Sequence, residues 1–382
     1  MSANFTPRER MLSLAAVITA AFGVGLAFGI GFPLTSLTLE AWHEPAWVLG
    51  LAGAAPAIAV LIMLPFLPAV VGRVGAVPAI ASGCVLAALG FLALSTVSTA
   101  PAWIAIRLAM SAGIALPWLV GETWINTVST DGTRGRVIAL YAIAFFTGFA
   151  IGPQLIGVLG QGLAPFLAGA AATALAGVPI ILARRLAPDL THDNPVGTAT
   201  ALRLAPIGMI GGFIGGFAEI SYLSLLPNVA IASGVTETDA LRLLTMLSVG
   251  GGVLQFPIGW LADKFDKVAI STLLAAAFVG LSLLLPFVLN APVLALVMAF
   301  ALGGVILGFY TVGLSIVGER VAPKDIAAAN AAFLIMYQVG AILGPLAAGA
   351  AMTLSPVLGF IATVCGLMLI SAIALQVFAR RK

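Results

Sequence analysis

The chain has 382 residues, of which 61% are hydrophobic and only 8% are charged, and its formal net charge is +3. Soluble domains carry about 25% charged residues, so this composition excludes an ordinary water-soluble enzyme or binding module. Apolar stretches longer than the roughly 20 residues that cross a bilayer as a helix recur along the whole chain. The sequence therefore predicts an all-α polytopic membrane protein.

Twelve apolar spans follow one another along the chain and predict twelve transmembrane helices. The stretch from Ala187 to Ala201 is the one long polar, proline-containing connection, and it reads as a linker between two halves. We expect a six-helix bundle over 1–186, a cytoplasmic linker over 187–202 and a second six-helix bundle over 203–382. The predicted spans are 12–37, 47–70, 76–97, 101–127, 136–159, 164–186, 203–228, 241–261, 269–289, 292–316, 326–350 and 356–379.

The distribution of Lys and Arg predicts the orientation in the membrane. With the N-terminus inside, fifteen cationic residues fall in cytoplasmic segments, whereas only Arg242 falls on the opposite side. This positive-inside bias predicts a bacterial-type inner membrane protein with both termini in the cytoplasm. The small positive net charge follows from the same bias and does not indicate nucleic acid, since no basic face is interleaved with exposed aromatic residues.

A ten-residue pattern, G-x-x-x-G-P-x-x-x-G, occurs at 148–157 and again 192 residues later at 340–349. This offset is half of the chain, so the protein is built by doubling one half. Doubled helical halves with a site between them are a recurrent plan of secondary transporters. Close helix packing is the commoner use of such glycines, with hinge action as a consequence. The defining positions are Gly148, Gly152, Pro153, Gly340, Gly344 and Pro345.

Three charged residues, Arg107, Glu122 and Glu219, fall well inside predicted spans and not at their ends. A charge in the membrane costs a few kcal/mol or more, so each marks a pathway or a paired partner. Arg107, Ser111, Trp118 and Glu122 share one face of span four, because they are separated by helical steps of three and four. At 1.5 Å per residue, about 22 Å separates Arg107 from Glu122.

Glu219 lies near the middle of span seven, on a stripe with Gly212, Gly216 and Tyr222. The glycines let a neighbouring helix or a substrate approach closely, and Tyr222 offers a hydroxyl to the carboxylate or to the cargo. A carboxyl in these surroundings can exchange a proton for a cation. Glu219 is therefore the predicted main proton-coupling group. A hydrogen bond that merely joins Glu219 to a neighbouring helix is the structural alternative.

The other two ionisable residues have both functional and structural interpretations. Glu122 is the second predicted proton-coupling group, and the alternative is a salt bridge to Arg134 or Arg136 at the inner mouth. Arg107 either tunes a nearby acid as part of the coupling or serves the structure as a charge partner.

Several short motifs resemble those of the major facilitator superfamily. The stretch G-W-L-A-D-K-F-D-K at 259–267 is similar to the loop signature of that family, matched by Gly259, Asp263 and Lys264. Its earlier copy, around Arg73, is weaker, because Gly72 stands where the acid is expected. The signature is a tight turn, and we expect its acid, Asp263, to cap a helix N-terminus and to pair with nearby cations. In the family this acid holds one gate shut, so the resemblance implies a gate residue in Asp263.

Other stretches resemble particular branches of the superfamily. The run starting at Arg107 is similar to an R-x-x-x-G-x-G element, and the Gly-Pro repeat resembles a motif of the drug:proton antiporter branches. The stretches at 121–126, 134–136 and 255–260 resemble the YcaD-like branch. Family architecture would line a central cavity with spans one, four, seven and ten. The residues that this implies are Phe28, Trp118, Glu122, Glu219, Tyr222 and Tyr310.

These observations predict a secondary active transporter that works by alternating access and exports small amphiphilic or cationic organic molecules in exchange for protons. Proton-coupled uptake of a small metabolite or organic anion is one alternative, in which Arg107 contacts the anion. A lipid flippase is another. The expected partners are a small-molecule substrate, protons and the lipid bilayer, and we expect the monomer to function.

Enzymatic activity is the least supported class, since no nucleophile–base pair is visible. The absence of a Walker loop argues against an ATP-driven pump. Cys84, Cys365, His43 and His192 are isolated in the sequence and predict neither a metal site nor a disulfide. No cofactor is expected.

Overall fold

A computed structural model describes residues 5–130, 132–160, 162–190, 202, 205–322 and 325–380. Residues 191–201, which make up most of the predicted linker, lie outside this described part. So do His192 and four of the cations that support the predicted orientation, namely Arg203, Lys324, Arg381 and Lys382.

The described residues form thirteen α-helices and one short 3-10 helix, Arg184–Leu186, and they contain no strand. The helices in chain order are α1 (Pro7–Ala41), α2 (Ala46–Met63), α3 (Leu67–Val74), α4 (Ala76–Leu94), α5 (Ala100–Val128), α6 (Arg134–Leu159), α7 (Leu163–Leu182), α8 (Pro206–Ala232), α9 (Glu237–Lys264), α10 (Lys267–Val288), α11 (Pro292–Arg320), α12 (Ile326–Met352) and α13 (Pro356–Arg380).

Twelve of these helices are long and apolar enough to cross a membrane, and α3, with eight residues, is the exception among the described elements. This confirms the predicted fold class of twelve transmembrane helices. Proline lies inside many of the spans, for example at Pro153 in α6 and Pro345 in α12. Membrane helices tolerate proline because neighbouring groups satisfy the backbone carbonyls that it leaves free.

The predicted second span, 47–70, is divided into two helices. Helix α2 ends at Met63 and α3 begins at Leu67, with Pro65 and Pro68 at the break. Proline has no N–H to donate and disfavours helical geometry in the residue before it, so two prolines three residues apart stop one helix and start another. Helix α3 then ends at Val74, and the next residue, Gly75, has a φ of 86°, in the region that glycine adopts readily.

Contacts between residues group the chain into two compact units. The first unit contains Met1–Leu34 and Ile58–Asp193, and the second contains Thr35–Ala57 and Asn194–Lys382. Thus the end of α1 and the start of α2 are grouped with the second half of the chain. The division into 1–186 and 203–382, inferred from the sequence, stays a prediction.

In the first unit, α4 packs on α5 and α7, and α1 packs on α6 along a line of glycines. A Cβ atom added to Gly25 or Gly29 of α1 would collide with a carbonyl of α6. One added to Gly148 or Gly152 of α6 would collide with the backbone of α1. Backbones can approach this closely only where side chains are absent.

In the second unit, α8 packs on α11 and α12, and α9 packs on α11. The contact between α8 and α12 has the same construction as that between α1 and α6. A Cβ added to Gly340 or Gly344 of α12 would collide with a carbonyl of α8, and one on Gly216 of α8 would collide with α12. In the described chain α8 is also the most enclosed span, with 83% of its most apolar window buried. Glu219 is therefore carried by the central helix of this unit.

Candidate functional site

Glu219 of α8 is half-buried and is bound by a tyrosine from α12. The hydroxyl of Tyr337 donates a hydrogen bond to Glu219 Oε2 over 2.8 Å. The ring of Tyr337 is 9% exposed, so this bond is made largely out of contact with water. Hydrogen bonds to an ionised acceptor in such surroundings are stronger than those between neutral groups.

Aromatic rings from α11 and α12 surround this hydrogen bond. The ring centroid of Tyr310 lies 5.7 Å from that of Tyr337 and 5.1 Å from that of Phe333, and both pairs are close to perpendicular. Gly215 of α8 faces the backbone of Tyr310, where a Cβ would lie 3.4 Å from its nitrogen. Three helices thus converge on one carboxyl. We call Glu219, Tyr310, Phe333 and Tyr337 the Glu219 cluster.

Tyr222 was expected to offer its hydroxyl to Glu219, but the structure places it elsewhere. Its side chain is fully buried, and its hydroxyl donates to Ser282 Oγ of α10 over 2.7 Å. Its ring packs edge-on against Phe278 and Phe360. A step of three residues turns a helix by about 60° from full register, which is enough to direct Tyr222 into the gap between α10 and α13.

A second carboxyl, Glu122, lies in the first unit on the predicted face of α5. Trp118 Nε1 donates to Glu122 Oε1 over 2.9 Å, one helical turn apart. The ring of Phe28 from α1 lies 6.2 Å from Trp118 at 86°, and also 6.2 Å from Phe145 of α6. Glu122 itself is exposed, whereas Phe28 is 9% exposed. The structure therefore brings Phe28, Trp118 and Glu122 together.

Arg107 is 1% exposed and lies on the same face of α5 as Glu122. Its guanidinium carbon is 5.5 Å from the ring centroid of Phe32, and Nη1 lies so close to Gly31 that a Cβ there would be 2.7 Å away. Arg107 Nε and the buried hydroxyl of Ser111 have no hydrogen-bond partner in the described structure. The predicted polar stripe thus has a buried part at Arg107 and an accessible part at Glu122.

In the loop signature, the acid that caps a helix is not the one that the sequence predicts. Asp263 is an exposed residue in the last turn of α9. The acid that caps the next helix is Asp266, which accepts a hydrogen bond from the Ala269 N–H over 2.7 Å. Lys264 Nζ lies 4.0 Å from the ring centroid of Trp260. The expectation that Asp263 caps a helix N-terminus is therefore wrong.

Other motif residues occupy the positions that their helices give them. Arg73 is exposed in the last turn of α3. Lys267, the last residue of the loop signature, forms an ion pair with Glu319 of α11, with Nζ and Oε2 3.0 Å apart. The glycines of the repeated pattern lie in the two close helix contacts described above.

Sequence reasoning missed two polar residues of the second unit. Tyr337 was not singled out, although it is one of only four tyrosines in the chain, and that rarity was the available signal. Glu40 was missed because the first span was predicted to end at 37, whereas α1 continues to Ala41. Asn228 Nδ2 donates to Glu40 Oε2 over 2.5 Å.

Comparison with known proteins identifies related membrane transporters. The family model for the Major Facilitator Superfamily matches residues 17–229 and 208–382. The uncharacterized MFS-type transporter YfkF of Bacillus subtilis (strain 168) is 26% identical over 343 residues, which cover 85% of each chain. The uncharacterized MFS-type transporter YcaD of Escherichia fergusonii is 27% identical over 326 residues, which cover 84% of each chain. The resemblance to YcaD-like members is confirmed.

Solved structures share the fold at low sequence identity. A mutant of the nucleoside transporter NupG superposes with a TM-score of 0.82 at 16% identity, covering 96% of this chain and 99% of that one. A bacterial homologue of the human lysosomal transporter Spinster, in an inward-facing and unoccupied conformation, superposes with a TM-score of 0.76 at 13% identity. It covers 98% of this chain and 96% of its own. At these identities the likeness shows the fold alone.

Proposed function

The chain belongs to the Major Facilitator Superfamily, and we propose that this secondary transporter exports small amphiphilic or cationic organic molecules in exchange for protons. The observation that carries the proposal is the Glu219 cluster. There a half-buried carboxyl on the most enclosed helix is bound by Tyr337 and lies beside perpendicular aromatic rings. In the proposal the two bundles, 1–186 and 203–382, work by alternating access, joined by the linker 187–202.

The chemistry of the Glu219 cluster suits a cation that competes with a proton. A carboxyl can hold either a proton or a positively charged group, and holding one excludes the other, which is the requirement for exchange. Aromatic faces attract cations and add apolar area for the rest of an amphiphilic molecule. Sugars and polyanions would meet few suitable partners here.

Glu122 is the second proton-coupling group in this proposal. Its hydrogen bond from Trp118 and the nearby ring of Phe28 repeat the pairing of an acid with aromatic residues in the first unit. Arg107, buried beside Phe32, tunes the coupling as a positive charge enclosed in that unit. Asp263 and Lys264 are proposed gate residues, and Phe28, Trp118 and Tyr310 are proposed cavity residues.

The experiment is a proton-flux measurement on the full chain in proteoliposomes loaded with a pH-sensitive dye. Cationic, neutral and anionic compounds are added under an imposed pH gradient. We expect cationic amphiphiles to trigger proton movement, and we expect Glu219→Gln to abolish it. The matched control is Glu319→Gln, which removes an acid that is 61% exposed and loses a surface ion pair worth about 0–1 kcal/mol.

Each outcome has a distinct consequence. Full pH-driven transport in Glu219→Gln would contradict its role as the main coupling group. No proton flux with any compound would contradict proton coupling and favour a facilitator or a lipid flippase.

Uptake of a small organic anion is a second candidate, and the buried guanidinium of Arg107 is the observation that favours it. A cation enclosed in an apolar bundle gains from an anionic ligand. If anionic compounds accumulate when protons flow inward, and Arg107→Lys abolishes this, then uptake replaces export.

We also propose an inner membrane location with cytoplasmic termini and a functional monomer.

A further inference from the structure

We infer that Tyr337 is a positioning residue, which holds the Glu219 carboxylate in place for an organic ammonium group and so makes the site prefer a cation over an uncharged molecule of the same shape. The inference rests on the proposed function, because it concerns cargo binding at the same carboxyl. It goes further by naming the cargo group and the residue that selects it.

Both partners of the hydrogen bond are fixed by the fold. The carbonyl of Tyr337 lies against Gly216 so closely that a Cβ on this glycine would collide with it. Gly216 lies one turn before Glu219 on α8. The backbone contact between α8 and α12 therefore sets the distance between the tyrosine and the carboxyl before either side chain is considered.

The ring of Tyr337 has little freedom to move. Tyr337 is 9% exposed, and the ring of Tyr310 is perpendicular to it at a centroid distance of 5.7 Å. The hydroxyl therefore stays within reach of Glu219 Oε2, where the hydrogen bond is 2.8 Å long. The carboxylate in turn cannot rotate without losing this bond.

A carboxylate that is already held in place binds a cationic cargo at a lower cost in conformational entropy. A flexible glutamate loses rotamer freedom when it closes on a ligand, and that cost is subtracted from the affinity. A carboxylate that a hydrogen bond already orients loses less. The gain applies to a positively charged group, which interacts directly with the carboxylate, and not to an uncharged one.

The test compares two molecules of the same shape, benzyltrimethylammonium and its uncharged carbon isostere neopentylbenzene. Their dissociation constants are measured by calorimetry on the purified full chain, wild type and Tyr337→Phe. We expect the dissociation constant of the ammonium compound to rise about tenfold in the variant, because the glutamate side chain would then lose its rotamer freedom only when the cargo binds. That of neopentylbenzene should change less than twofold. The phenylalanine keeps the ring, so the variant retains the packing against Tyr310.

The matched control is Tyr222→Phe, which removes a buried tyrosine hydroxyl from the same helix bundle. Its hydroxyl binds Ser282 and not the carboxylate, so the preference for the ammonium compound should keep its wild-type value. The inference is overturned if the preference is unchanged in Tyr337→Phe, or if Tyr222→Phe reduces it equally. It is also overturned if wild-type protein does not prefer the ammonium compound.

Failure of this inference can be distinguished from failure of the proposed function. Absence of proton flux with every compound in the wild-type protein removes the proposed function, whereas proton coupling that survives in Glu219→Gln removes only the role of Glu219 in it. Coupling that is lost in Glu219→Gln, together with an unchanged preference in Tyr337→Phe, removes only the positioning role of the tyrosine.

Discussion

At the scale of single residues, the two carboxyls differ in how the chain encloses them. Glu219 is half-buried and bound by a tyrosine from another helix, whereas Glu122 is exposed and bound by Trp118 from its own helix. A partner on the same helix constrains an acid only locally. A partner on a different helix links the acid to the packing of the bundle. A change of charge at Glu219 therefore also affects the contact between its helix and that of the tyrosine.

Glu122→Gln tests whether Glu122 contributes less to proton coupling than Glu219 does. Glutamine keeps an oxygen that accepts the hydrogen bond from Trp118 Nε1, so the substitution removes the charge and little else. We expect proton flux in proteoliposomes to fall severalfold but to remain measurable, whereas Glu219→Gln abolishes it. A complete loss in Glu122→Gln with retained flux in Glu219→Gln would reverse the assignment of the two acids.

The sequence predicted which acids to consider but not their partners. Glu122 and Glu219 stand out because charges are rare inside apolar spans, and Trp118 shares a face with Glu122 by helical spacing alone. Tyr337 is 118 residues away from Glu219, a separation that no local periodicity can connect. Tyr222 was the nearest tyrosine along the chain, but its ring packs between α10 and α13 instead.

At the scale of elements, the repeated glycine pattern has the same structural role in each unit. It brings α6 against α1 and α12 against α8 with no side chain between the backbones. The sequence predicted this packing role because small residues four apart form a smooth surface on a helix. It could not identify the partner helices, because periodicity describes one face of a helix and not what lies opposite.

Gly340→Ala tests the close contact between α12 and α8. The added methyl would collide with the carbonyl of Phe213, and a backbone atom cannot move aside as a side chain can. We expect overpacking to lower the free energy of unfolding by about 1–3 kcal/mol. The change is followed as a lower midpoint of thermal unfolding in detergent, monitored by tryptophan fluorescence.

The matched control for this prediction is Gly366→Ala in α13. A Cβ at Gly366 meets no atom within 4 Å, and alanine is about 1 kcal/mol more favourable than glycine within a helix. Gly366→Ala should therefore leave the midpoint unchanged or raise it slightly. Equal midpoints for the two variants would show that the close approach at Gly340 does not contribute to stability.

Element boundaries were predicted less well than element number, and the errors have local causes. Pro65 and Pro68 divide the second span. Both prolines are visible in the sequence, but the prediction gave more weight to the apolar character of the region and joined the two helices. Helix α1 continues four residues beyond the predicted end at 37, because polar residues at a membrane boundary can still be helical. This second error concealed Glu40.

At the scale of the whole molecule, the two compact units differ at one segment from the two halves that the sequence repeat predicts. Residues 35–57 precede most of the first bundle in the chain but are grouped with the second unit. Two features attach them there. The backbone of α2 at Gly50 lies directly against the carbonyl of Pro345, and the amide of Asn228 donates to the carboxylate of Glu40. One attachment is steric and the other is polar.

Asn228→Leu removes the polar attachment and leaves the steric one. The carboxylate of Glu40 is half-buried and would lose a hydrogen bond to a charged group, a change of about 1.5 kcal/mol at the lower limit for such bonds. Local opening of residues 35–57 should then become more frequent, by about tenfold for 1.4 kcal/mol. Amide hydrogen exchange reports this opening directly, so exchange between residues 35 and 57 should accelerate by about that factor.

The same substitution at Asn126 separates this effect from the general cost of losing an asparagine. Asn126 Nδ2 donates to the carbonyl of Glu122 within α5, so it joins no distant parts of the chain. Asn126→Leu should leave the exchange of residues 35–57 at the wild-type rate. If Asn228→Leu also left that rate unchanged, the steric contact at Gly50 would be sufficient to hold the segment. The Glu40–Asn228 hydrogen bond would then contribute nothing to the grouping of this segment with the second unit.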